Sequence, residues 1–183
     1  MYLEPPQIGL EGGTHTQAYA QPVRTAAAPV AGALDAPDLQ PIRLHLAEMV
    51  LVASVNPGNE RMTDILQRGG ELRVLPAGAD PSVPESWLGV PTDDIMLVIP
   101  PPHVSTPEKR VERLRHEVHV RIGECRLVGT GHLRPGAELD AVLRTTQPFM
   151  PLTEVTMTMG AGGYYEQHAV AIINLRYAEF VTD

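Results

Sequence analysis

The strongest constraint on this chain is a pattern that occurs twice. Ile42, Leu44 and Leu46 alternate with Arg43 and His45, and Val118, Val120 and Ile122 alternate with His119 and Arg121, displaced by about 76 positions. Alternation with a period of two reads as a strand with one face buried. A two-residue connection follows each run, Ala47-Glu48 and Gly123-Glu124, and then a second apolar run, Met49 to Ala53 and Cys125 to Gly129. Strand, tight turn and strand is the pattern of a hairpin. Both copies then reach Pro-Gly, at Pro57-Gly58 and Pro135-Gly136. Each continues into a short helical stretch, Met62 to Leu66 and Leu139 to Leu143, and an extended stretch, Leu72 to Leu75 and Phe149 to Leu152. Each ends on an apolar strand, Ile95 to Ile99 and Val170 to Leu175.

These elements predict a mainly β protein. Two tandem small repeats, 41–102 and 118–183, each carry a short helix and follow an N-terminal tail, 1–40. A flat sheet of this size leaves an apolar face in water, so each repeat is expected to curl into a small barrel or pack as a sandwich. Pro100-Pro101-Pro102 ends the first copy, because proline supplies no ladder donor. The linker 103–117 then reads as a helix. Ser105 or Thr106 caps it, Pro107 and Glu108 occupy its first turn, and Val111 and Leu114 face protein.

The tail is rich in Pro, Ala, Gly and Gln and shows neither period. Such a segment cannot offset its ordering entropy with its own burial. It is expected to be disordered, or to act as an arm that orders on a partner. Leu3, Ile8 and Leu10, then Val23, Val30 and Leu34, are its apolar anchors. Trp87, in a loop with Pro81, Pro84 and Pro91, and Tyr164 and Tyr165, beside the Gly-rich run Met159 to Gly163, complete the set of interface candidates.

The second copy resembles Sm-like small β-barrels over 118–183. The stretch that carries the resemblance is Val118-His119-Val120-Arg121-Ile122-Gly123-Glu124-Cys125-Arg126-Leu127-Val128-Gly129-Thr130-Gly131. The resemblance implies a sharply bent strand at Gly129 or Gly131. It also implies a later strand, Phe149 to Met159, before a closing strand, Ala171 to Phe180. The Arg-Gly step that Sm-like proteins use on RNA is absent. The copy is also similar to a bacterial domain of unknown function in its Phe-Met-Pro-Leu-Thr and Ile-Asn-Leu-Arg-Tyr segments, which implies no activity.

Charge and chemistry narrow the function. The net charge is -8, and only Lys109 to Arg115 is locally basic. Nucleic-acid binding needs a basic footprint, so an Sm-like nucleic-acid binder is only the alternative reading. His116 and His119 are three apart on a strand and face opposite ways, so no metal site is expected from them. His168 reads as a satisfied edge residue. Cys125 reads as a small buried hydrophobe. None of Ser54, Ser82, Ser86 and Ser105 lies in a nucleophile elbow. The acidic pairs Asp93-Asp94 and Glu138/Asp140 flank predicted elements, where negative charge is commonplace. The Gly-rich run lacks the ending of a phosphate loop and reads as a hairpin loop.

No catalytic residue, metal or cofactor is therefore expected. The chain lacks an apolar run of about 18 residues and a basic, apolar leader, so a cytoplasmic protein without a membrane span is expected. The function expected is a non-catalytic scaffold or assembly protein acting through protein partners or as a homo-oligomer. An accessory subunit of a larger enzyme complex is the second alternative.

Overall fold

The computed structural model describes residues 38–101, 113–133, 135–136, 147–160 and 163–181. The tail anchors Leu3, Ile8, Leu10, Val23, Val30 and Leu34 lie outside them, as do Leu139 to Leu143 and most of the linker.

Two hairpins open the two halves. Strand β1 (Gln40–Leu46) pairs antiparallel with β2 (Val50–Val55), and Leu46 N–H donates to Met49 O at 2.9 Å. Ala47 and Glu48 are therefore the two turn residues. Strand β6 (Leu114–Ile122) pairs with β7 (Cys125–Leu133), with Ile122 opposite Cys125. Gly123 takes φ 56 at the first turn position, the conformation that a tight hairpin asks of glycine there.

After β2 comes helix α1 (Met62–Arg68), which buries Leu66 and ends at Gly69. Strand β3 (Glu71–Pro76) follows, then a 3-10 turn at Pro84–Ser86 and strand β4 (Leu88–Pro91). A second 3-10 turn, Thr92–Asp94, places Asp93 and Asp94 directly before β5 (Ile95–Ile99). In the second half, β8 (Phe149–Met159) and β9 (Tyr164–Asn174) form a long hairpin, and a turn separates β9 from β10 (Glu179–Phe180).

Among the described residues, ten strands form one antiparallel sheet, in the order β10-β6-β7-β8-β9-β5-β1-β2-β3-β4. The expectation was two units, each a small barrel or a sandwich. The structure has one open sheet, because β5 pairs with β1 on one side and with β9 on the other. The strand that would close the first unit is shared with the second. The linker expectation also needs correction at its end. β6 begins at Leu114, so Leu114 to Glu117 are strand, not helix or linker, and Leu114 is exposed. The partner β7 runs on to Leu133 and provides backbone for those four residues.

Two cores lie on the sheet. One gathers Ile42, Leu44, Ala53, Val55, Leu66, Leu72, Val74, Ile95 and Val98 from the first half, with Phe149 and Ile172 from the second. The other gathers Val118, Val120, Ile122, Leu127, Leu152, Val155 and Met157 with Ala171 and Ile173, and takes Leu97 from the first half. The middle strands are thus apolar on both faces. That explains why Ile95 to Ile99 and Ala169 to Ile173 read as continuous runs, not alternations.

The hairpin β8–β9 changes sides part-way. Met150 and Leu152 face the second core, and so do Val155 and Met157, which have the opposite parity. Glu154 stands at the change with φ 54, and the register of β7 on β8 shifts between Val128 and Thr130. This is a bulge, an extra residue that bends the strand. Gly129 sits opposite it, and a Cβ there would lie 2.9 Å from Val155 Cγ2 and 3.2 Å from Thr153 O. The close approach requires glycine. Gly129→Ala is expected to destabilise the fold by about 1–3 kcal/mol, read as a lower urea midpoint with an unchanged slope.

Candidate functional site

The cluster of interacting polar groups with the greatest sequence separation lies where β1 meets the tip of the β8–β9 hairpin. Arg43 and His45 project from β1 on the side away from Ile42 and Leu44. Their neighbours across β5 are Ile99 and Leu97, which belong with the second core. Beyond the bulge, β9 places His168 opposite Val155 and Glu166 opposite Met157. Cross-strand partners share a face, so Glu166 and His168 come to the same side as Arg43 and His45.

Arg43 holds Glu166 in a forked pair. Nη1 donates to Oε1 at 3.1 Å and Nη2 donates to Oε2. His168 Nε2 lies 2.8 Å from Glu166 Oε2 and 3.1 Å from Arg43 Nη2. All three side chains are mostly buried, with 26%, 19% and 16% exposed for Arg43, Glu166 and His168. The hydrogen bonds from Arg43 lead the causes that hold the Glu166 carboxyl below its ordinary pKa, outweighing the opposing effect of its burial.

His45 is only 4% exposed. Its Nδ1 lies 3.9 Å from Cys125 Sγ, while its Nε2 is buried without a hydrogen-bond partner in the protein. Charging this ring would bury an unpaired N–H beside the Arg43 guanidinium. Burial first, and Arg43 second, lower the His45 pKa to about 4. Burial also raises the pKa of the Cys125 thiol. A nucleophilic cysteine needs its thiolate stabilised by a charged imidazole or another cation. Both shifts oppose that ion pair, so the imidazole and thiol meet as neutral groups. The cluster's chemistry is that of a clamp between the two halves.

The other candidates lie elsewhere. Tyr164 and Tyr165 stand exposed at the hairpin tip, beside the Gly160 and Gly163 turn residues. Trp87 is half-buried after the first 3-10 turn, with the Arg73 guanidinium 5.8 Å from its ring centre. His116 and His119 are both on β6. His119 meets Glu117 at 3.0 Å, whereas His116 is half-buried with Nε2 unpartnered. His168 lies opposite Val155 of β8, beyond the stretch of β9 that pairs with β5, and its ring meets Glu166 and Arg43.

No family model, curated protein or solved structure matches the chain. Among the described residues no group of three or more His, Cys, Asp or Glu is placed to hold a metal ion, and no helix is long and apolar enough to cross a membrane.

Sequence reasoning did not single out Arg43, His45 or Glu166. Alternation assigned Arg43 and His45 to water, which would hold for an isolated hairpin. Glu166 and Arg43 are 123 positions apart, and nothing local links them.

The His45 shift has a definite sign. A base whose pKa falls on folding binds fewer protons in the native state. Its contribution to stability is present above about 6.5 and is lost as the pH falls towards about 4. Over that window it is expected to remove up to about 3 kcal/mol. Glu166 adds to the loss lower down, as its depressed carboxyl is protonated. Urea titrations at pH 7 and pH 5 check this, and His45→Leu is expected to flatten the difference between them. Cys125 is expected to react with a disulfide reagent at neutral pH many-fold more slowly in the folded chain than in urea.

Proposed function

We propose that this chain is a non-catalytic assembly element or accessory subunit that acts by protein–protein contact. Its N-terminal arm, 1–40, docks on a partner or a neighbouring subunit, and Leu3, Ile8, Leu10, Val23 and Val30 are the arm's anchors. The body is read as two like β units, 41–102 and 118–183, joined through one sheet.

The supporting observation is the open sheet. Its terminal strands, β4 and β10, each pair on one side only among the described residues. An unpaired strand edge offers a row of backbone donors and acceptors to another chain. Exposed apolar side chains lie on β4 and on two hairpins further into the sheet. Leu88 is on β4 itself, Met49, Val50 and Val52 are on the first hairpin, and Tyr164 and Tyr165 are on the last. The clamp chemistry of the Arg43 cluster fits this reading, since its groups hold strands together.

Sedimentation equilibrium of the full chain tests the proposal. The expected mass is a multiple of 19.9 kDa, or that of a stoichiometric complex with a protein from its host. Leu88→Lys on the β4 edge, exposed and away from both cores, is expected to return the mass to that of one chain. A single-chain mass at every concentration, with no stoichiometric partner, would overturn it.

A further inference from the structure

The loop between β3 and β4 builds a groove. Asn56, Arg73, Pro81, Pro84 and Trp87 line a depression of about 410 Å³. Its walls are tied in place before anything binds. Asp80 Oδ1 accepts from Ser82 N–H at 2.9 Å and from Ser82 Oγ–H at 2.7 Å. Those bonds from Ser82 hold the Asp80 carboxyl below its ordinary pKa. Val83 N–H donates to Asp80 O, Ser86 N–H to Val83 O, and the Trp87 indole to Pro81 O at 3.3 Å. Three ring side chains therefore form a rigid apolar wall, and little ordering entropy remains to be lost on binding.

The polar side of the groove is equally specific. Arg73 lies opposite Gly89 across β3 and β4, where the Glu71 carboxylate lies against the glycine without pairing with Arg73. Its guanidinium spreads over the Trp87 ring, within cation–π range. Among the described residues Arg73 pairs with no carboxylate, although the chain carries a net charge of -8. Asn56 Oδ1 is taken by Gly58 N–H at 3.0 Å, which leaves the Asn56 amide NH₂ as a donor. No acidic residue lines the groove.

An aromatic and proline wall beside free donors suits a ligand with stacking rings and exposed carbonyls. A polyproline II segment has both, because its backbone makes no internal hydrogen bonds. The unpaired Arg73 adds a demand for negative charge. We propose that the Trp87 groove docks an acidic, proline-containing extended segment of a partner protein. Its prolines lie against Trp87, Pro81 and Pro84, its carbonyls accept from Asn56, and its carboxylate meets Arg73. This rests on the reading of the chain as an interaction protein and names one of its sites.

Trp87 is the only tryptophan, so its fluorescence reports the groove directly in the full chain. The probes are two acetylated hexapeptides, Glu-Pro-Pro-Glu-Pro-Pro and Lys-Pro-Pro-Lys-Pro-Pro. The acidic peptide is expected to shift Trp87 emission to the blue, saturably and at least about tenfold more tightly than the basic one. Arg73→Glu is expected to reverse that order, a result that loss of folding cannot mimic. No response to either peptide, or equal responses that Arg73→Glu leaves unchanged, would overturn the groove assignment. Sedimentation of the same samples separates the two ideas. A mass above one chain with a silent Trp87 defeats the groove and leaves assembly standing. A saturating acidic-peptide response from a chain that sediments alone upholds the groove and defeats self-assembly.

Discussion

The structure depends on one seam, the pairing of β5 with β9. Leu97 faces Ile173 and Val98 faces Ile172, and the two pairs point to opposite sides of the sheet. Leu97 and Ile173 belong to one core, and Val98 and Ile172 to the other. All four are essentially without solvent exposure. Each side chain of this kind contributes about 1.5–3 kcal/mol when removed from water. Neither half can keep its own core intact without the other's strand. The ends of the seam are also tied. Asn174 is buried, yet its amide donates to Ile95 O at 2.9 Å and its oxygen accepts from Arg176 N–H at 3.1 Å. Tyr177 reaches Asp93 O at 2.7 Å, and Gln67 of α1 reaches Phe149 O at 3.0 Å. The buried polar groups on this path have partners, so they add registration without a large desolvation cost.

The Arg43 cluster does for direction what the seam does for cohesion. Apolar contact would tolerate a slide of the β8–β9 hairpin along its neighbours. A forked Arg–carboxylate pair does not, because two parallel hydrogen bonds fix both distance and angle. The bulge at Glu154 makes the pair possible. Without the change of parity, Glu166 and His168 would face away from β1, and Arg43 would be left partly buried without its anion. A charge stranded in that way costs far more than the pair itself contributes. The bulge, the glycine opposite it and the ion pair therefore form one device, although they lie on four different strands.

Much of this was legible in the residues. The two hairpins follow from alternation around Ala47-Glu48 and Gly123-Glu124. The helix near Met62, the extended stretch from Phe149 to Leu152 and the buried Cys125 follow from period and bounding turns. What could not be read depends on contact between distant segments. Alternation says which residues share a face, but not whether a second layer covers that face. Arg43 and His45 were assigned to water for that reason. The β8 bulge gives no composition signal, since Glu154 is an ordinary residue in a Thr- and Met-rich strand. Two separate barrels or sandwiches were the natural inference from two matching runs of residues. A pattern along the sequence is silent about which strands pair across long separations, such as β5 with β9.

Sharing β5 has a consequence for the surface. Strands in a closed barrel pair on both sides, so no edge remains. Strands in an open sheet cannot all do so, and here the free sides fall on β4 and β10. β10 is two residues long, which blunts its edge. β4 is longer, but Pro91 closes one end of it and the Pro84–Ser86 turn and Trp87 occupy the other. Rings and prolines guard the more exposed edge, while Leu88 stays open between them. That arrangement limits indiscriminate strand addition, because only a short stretch of β4 is open between its two ends. Arg73 over Trp87 stands at the end of β4 nearest the groove.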